Sequence, residues 1–102
     1  MSDDAALAAQ AVAERLRALP GWTRSGDAIT RTYTFADFKA AMIFVNGVAA
    51  LAERAEHHPD ITIRYKVVTL SLWTHSAGGI TGKDLDLART IDATFPAPVG
   101  KT

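Results

Sequence analysis

The chain alternates between two hydrophobic rhythms, one of about 3.6 residues and one of 2. Ala8, Val12, Leu16 and Leu19 recur at helical spacing, and Pro20-Gly21 stops the run. Ser2, Asp3 and Asp4 stand where caps and dipole partners of that first helix belong. Trp22 to Ser25 reads as a short strand, and Gly26-Asp27 as a turn. From Ala28 to Phe35 the pattern changes to period 2. Ile29, Tyr33 and Phe35 are apolar, Thr30, Thr32 and Thr34 are polar, and Arg31 breaks the apolar row.

Thr34 and Asp37 have capping-box spacing and open the longest helix, Asp37 to about Glu56, with Phe38, Met42, Val45, Ala49 and Ala52 as its expected buried stripe. Gly47 is a weak point within it, costing about 1 kcal/mol relative to alanine. Two further strands follow Pro59. Ile61, Ile63 and Tyr65 alternate with polar residues in the first. The second runs from Val67 to Thr74, with Val68, Leu70 and Leu72 on one face and Thr69, Ser71, Trp73 and His75 on the other. Ser76 to Gly79 is a loop. Thr81 and Asp84 repeat the capping-box spacing and start a last helix ending near Phe95. The order α-β-β-α-β-β-α predicts an α+β fold: a four-stranded antiparallel sheet with three helices on one face. No internal linker or repeat divides residues 1–102, so one domain is expected, with a mobile tail from about residue 96. The strand 28–35 reads as an exposed sheet edge, which invites a second copy.

Composition narrows the chemistry. The 102 residues include 48% hydrophobic ones, enough for a core without covalent staples. Cysteine is absent, which removes disulfides, a thiol nucleophile and cysteine metal clusters. Eleven basic residues balance eleven acidic ones without a basic run, so nothing marks a nucleic-acid or anionic-membrane partner. No apolar run reaches the ~20 residues of a membrane span, and MSDDAALAAQ lacks the layout of a secretory leader. The expectation is a cytoplasmic location.

Two of the three histidines are adjacent, in Glu53-Arg-Ala-Glu-His57-His58-Pro59. Proline disfavours the α conformation in the residue before it, so His57 can close the helix while His58 leaves it, and the rings address two sides of one pocket. Glu53 lies one turn before His57 and can orient its imidazole. Histidine titrates near pH ~6.5, which suits proton transfer at neutrality. A solvated helix end with ordinary surface histidines is the competing reading. A metal site is a third, since His57, His58, His75 and Glu53 are ligands by type, but their spacing matches no metal motif.

The combined offsets carry more. Glu53-x-x-x-His57-His58-Pro59, Tyr65, Thr74-His75, Gly78-Gly79-Ile80-Thr81 and Asp84 resemble the signature of the pterin-4a-carbinolamine dehydratases. Gly21-Trp22 and Phe35-x-x-Phe38 extend the resemblance upstream, so that it spans about Leu16 to Ala93. The resemblance implies dehydration of 4a-hydroxytetrahydrobiopterin to quinonoid dihydrobiopterin in tetrahydrobiopterin recycling, with no metal and no organic cofactor. It implies catalytic roles for His57, His58 and His75, supported by Glu53 and Asp84, and substrate contacts from Trp22, His58 and Thr74. It implies a homodimer or homotetramer, and a functional link to an aromatic amino acid hydroxylase. The alternative it carries is a non-enzymatic role on the same fold, as a dimerisation cofactor or assembly factor. Asp84 also reads as merely the third-position acid of a capping box, and Tyr65 as core. Trp73 departs from the small polar residue the resemblance leads one to expect there. It stands either beside the pocket or in an interface.

Overall fold

In the computed structural model, residues 5–95 are described. Helix α1 spans Ala9–Leu16, followed by β1 (Thr23–Ser25), β2 (Ala28–Thr34), α2 (Phe38–Ala55), β3 (Asp60–Arg64), β4 (Val67–Leu72), a 3-10 turn at His75–Ala77 and α3 (Gly82–Thr94). The expected order and the α+β class are found. Both hairpins close with two residues. Gly26 takes a positive φ of 62° in the first, and Tyr65 one of 55° in the second.

The sheet is antiparallel throughout, in the order β1-β2-β4-β3. This corrects one expectation. β2 is an inner strand, bonded to β1 on one side and to β4 on the other, from Ile29↔Leu72 to Thr34↔Val67. The edges are β1 and β3. The threonine-rich pattern of β2 marks a sheet with one exposed face rather than an edge. Thr32 and Thr69 meet across that face, with hydroxyl oxygens 3.0 Å apart. On the other face Ile29, Tyr33, Val68, Leu70 and Leu72 are buried under the helices.

The first helix begins later than the pattern suggests. Its N-cap is Ala8, without a side-chain cap, and the Ser2–Asp4 capping expectation lies outside the described residues, as does the tail from residue 96. α2 is capped by Asp37, whose carboxylate accepts the Ala40 N–H at 2.8 Å, so the box spacing with Thr34 was not the operative signal. The buried face of α2 is also rotated from expectation. Ala41, Phe44, Val45, Val48 and Ala52 are buried, whereas Phe38 is 50% exposed and Ala49 lies outside the core. The helix is apolar on more than one face, so periodicity alone does not choose. The choice is made by Phe44, whose ring packs 4.6 Å from Tyr33, 5.0 Å from Phe35 and 5.4 Å from Phe95. Gly47 belongs to this packing. A Cβ there would stand 2.3 Å from the Phe95 ring, so the glycine is the gap into which that ring fits.

Candidate active site

Three chain segments meet where α2 ends and α3 begins. α2 stops at Ala55 because Glu56 adopts the left-handed conformation, φ 54°, and the His57 N–H caps the Ala52 carbonyl at 3.1 Å. His57 is thereby thrown off the helix toward the start of α3. That helix opens with a full capping box. The Asp84 Oδ2 accepts the Thr81 N–H at 2.9 Å, and Thr81 Oγ1 accepts the Lys83 N–H at 3.2 Å.

Asp84 does more than cap. It is fully buried, and its Oδ2 also accepts the Thr74 hydroxyl at 2.9 Å. Its Oδ1 lies 2.5 Å from Nε2 of His57, whose side chain is 12% exposed. Proton counting orders the cluster. Thr74 gives its one hydroxyl proton to Asp84, so the 2.8 Å contact between Thr74 and Thr81 is donated by Thr81. Nε2 of His57 is then a donor to the carboxylate, and a neutral His57 is the Nε2–H tautomer with Nδ1 as its basic nitrogen. The sequence left Asp84 open between cap and site. In the fold it caps α3 and holds His57 as well.

Glu53 is placed differently from expectation. The helix ends too early for its carboxylate to reach His57, and its Oε2 instead meets Nε2 of His58 at 2.7 Å, in an exposed pair. His57 and His58 are each tied to a carboxylate, one buried and one in solvent. Thr74 forms an antiparallel bridge with Gly79, its N–H donating to the Gly79 carbonyl at 2.9 Å. The rings of its neighbours Trp73 and His75 are in contact, tilted by 36° with centroids 4.0 Å apart. Trp73 thus touches His75, while neither residue is among those lining the cleft beside His57. Tyr65 sits on the β3–β4 turn, 64% exposed, and is not core.

A cleft of about 350 Å³ lies between the C-terminal half of α2 and the N-terminal half of α3, lined by Leu51, Arg54, His57, Lys83, Leu87 and Thr90 among others. His57 thus has buried support on one side and a cleft on the other. Among the described residues, no three His, Cys, Asp or Glu side chains converge as metal ligands, and no helix is long and apolar enough to cross a membrane.

Trp22 stands apart from the histidines. It is buried, and its indole N–H is committed to Asp92, at 3.1 and 3.2 Å from the two oxygens. Asp92 also accepts from Arg31 at 3.3 Å and from the Tyr33 hydroxyl at 3.4 Å. Burial, then the charge of Asp92, raises the Tyr33 phenol well above its ordinary range. Asp92 follows Asp84 by eight residues, about 12 Å along a helix. This second cluster was not anticipated, although Arg31 in the apolar row of β2 was its trace in the sequence.

Comparison with known proteins adds an independent line. Residues 5–94 match the family model described as pterin 4 alpha carbinolamine dehydratase. A relative from Thermomicrobium roseum, provisionally named a pterin-4-alpha-carbinolamine dehydratase, is 60% identical over 80 residues, covering 78% of this chain and 86% of its own. One from Nocardia farcinica with the same provisional name is 57% identical over 86 residues, covering 84% and 90%. Among solved structures, a transcriptional coactivator/pterin dehydratase from Brucella melitensis superposes with a TM-score of 0.82 at 39% identity, over 86% of this chain and 96% of that one. A pterin dehydratase-like RuBisCO assembly factor of the alpha-carboxysome shares the fold, with a TM-score of 0.61 at 18% identity, over 74% and 88%.

Proposed function

This chain belongs to the pterin-4a-carbinolamine dehydratase family, and from that premise we propose that it dehydrates 4a-hydroxytetrahydrobiopterin to quinonoid dihydrobiopterin by histidine acid–base catalysis. The reaction breaks the C4a–O bond, with a proton delivered to the departing hydroxyl, and removes a proton from the adjacent ring nitrogen. The products are water and a C=N bond. Two imidazoles on either side of a flat heterocycle can perform both transfers without a Lewis acid.

The observation that carries this reading is the short contact between His57 and a fully buried Asp84 that already accepts two other donors. A surface histidine needs no such anchorage. With Nε2 held by Asp84, Nδ1 of His57 is the atom assigned to the proton. His75 is assigned the complementary transfer, and His58, with Glu53, the substrate contact. Thr74 acts through Asp84, and Trp22 has no direct part in this scheme, its indole being held by Asp92.

The second reading is an interaction protein on the same fold. Phe38 and Ile43 are exposed on α2, 50% and 64% accessible, as apolar groups that a partner could cover, and we also propose a homo-oligomer, dimer or tetramer. The Brucella protein is described by both roles, and the two are compatible. A spectrophotometric dehydratase assay on the purified chain separates them. Turnover that rises and falls with pH around neutrality, and that survives dialysis against a strong chelator, is expected. No acceleration over the spontaneous dehydration would leave the interaction reading.

A further inference from the structure

The three histidines are not held alike. His57 is fixed by Asp84 and His58 by Glu53, each through Nε2. Among the described residues, the contact that holds the ring of His75 is the indole of Trp73, with centroids 4.0 Å apart and planes inclined by 36°. The backbone between the two rings is unusually well tied. The Thr74 N–H bonds to Gly79, its carbonyl accepts from Ala77 at 3.1 Å and Gly78 at 2.9 Å, and its side chain is locked to Asp84 and Thr81. That fixes where the Cα of His75 stands, but not how its exposed ring turns. The residue two before it supplies the missing restraint. Thr74, in its isolated bridge with Gly79, separates the end of β4 from the 3-10 turn that His75 begins, and across this step the rings of Trp73 and His75 come together. Trp73 is half-buried immediately after β4, which makes it a firmer platform than its exposed partner.

We infer that Trp73 is the positioning residue of His75, its indole face selecting the imidazole orientation used in the reaction. This rests on the assignment of His75 to proton transfer. Trp73 itself need not touch the reacting atoms. An aromatic pair of this geometry is worth enough to shift the productive orientation by about 2- to 10-fold, and kcat is expected to carry most of that change.

Two readouts test it. With only three histidines in the chain, the carbon-bound imidazole protons can be assigned by NMR using His75→Ala. In the native protein the His75 resonances should be shifted by the indole ring current. Trp73→Ser should return them to ordinary positions and lower kcat about 2- to 10-fold with KM little changed. Trp73→Phe should keep a smaller ring-current shift and recover most of kcat. Unshifted His75 resonances in the native protein would overturn the inference, as would a Trp73→Ser variant with native kcat. If the native chain shows no dehydratase turnover at all, the assignment of His75 falls, and the resonances alone decide whether the indole orients it.

Discussion

Asp84 and Asp92 stand on one helix, two turns apart, and each gathers side chains from other elements, yet the two clusters are built to different ends. Asp92 accepts from Trp22, Arg31 and Tyr33, three groups whose partners are all within the cluster or the adjacent backbone. It ties the loop after α1 and the inner strand β2 to the C-terminal half of α3. Asp84 accepts from a backbone cap, a threonine and an imidazole, and that imidazole lines a cleft. The first arrangement borders a cleft of its own through Arg31 and Asp92, but presents no imidazole to it. The second ends in a titratable ring with one nitrogen left over. A carboxylate that gathers several donors is therefore no sign of chemistry by itself. What distinguishes the site is that the last member of the chain of hydrogen bonds can exchange a proton with something outside it.

Removing Asp84 should have the largest effect, because it strikes fold and site together. Asp84→Ala strands the Thr81 N–H and unties Thr74 and His57. Loss of a cap plus stranded buried donors costs roughly 2–4 kcal/mol, and turnover should fall with the freed imidazole. Thermal unfolding and the dehydratase assay, run on the same sample, read both. A variant with native stability would contradict the cap, and one with native turnover would contradict the support of His57.

Asp92→Ala should destabilise by about 1–3 kcal/mol through the stranded indole N–H of Trp22 while leaving turnover per folded molecule unchanged. The same variant should alter the alkaline limb of stability. Tyr33 has its folded-state pKa raised, mainly by burial and then by Asp92. The stability this contributes is complete below the unfolded phenol's pKa of about 10 and is lost as pH rises beyond it. Without Asp92 that loss should be shallower, as denaturant titrations between neutral and alkaline pH would show. A large drop in turnover for folded Asp92→Ala would erase the contrast between the clusters.

The smallest effect is expected at Glu53. Its partner His58 is exposed, and so is Glu53 itself, so Glu53→Ala should shift KM modestly and leave kcat near native. A kcat loss as large as that of a His57 variant would mean that the exposed pair, not the buried one, is the seat of proton transfer.

What could be read from the chain follows from these contacts. Element order was legible because period 2 and period 3.6 are local properties, and the Thr81–Asp84 box because its partners are three residues apart. The family was legible through the fixed offsets around the histidines. Partner assignment was not. Glu53 and His57 share a helical spacing, but the helix ends two residues before His57 at a left-handed Glu56, a conformation that no glycine announced. The pairing of His57 with Asp84 spans 27 residues, and that of Trp22 with Asp92 spans 70. The inner position of β2 was hidden for the same reason, since strand order is decided by non-local pairing. The buried face of α2 needed the aromatic contacts of Phe44, which sequence spacing does not display.

The most direct test of the account is the turnover of His57→Ala measured beside its thermal stability. His57 is largely buried and its loss leaves one oxygen of Asp84 without its donor, so a stability cost of about 1–3 kcal/mol is expected and turnover is compared per folded molecule. Turnover should fall by roughly 10²- to 10⁴-fold, the usual worth of a positioned proton donor or acceptor. Near-native turnover in a folded His57→Ala protein would contradict the assignment and reduce the Asp84 cluster to a helix cap.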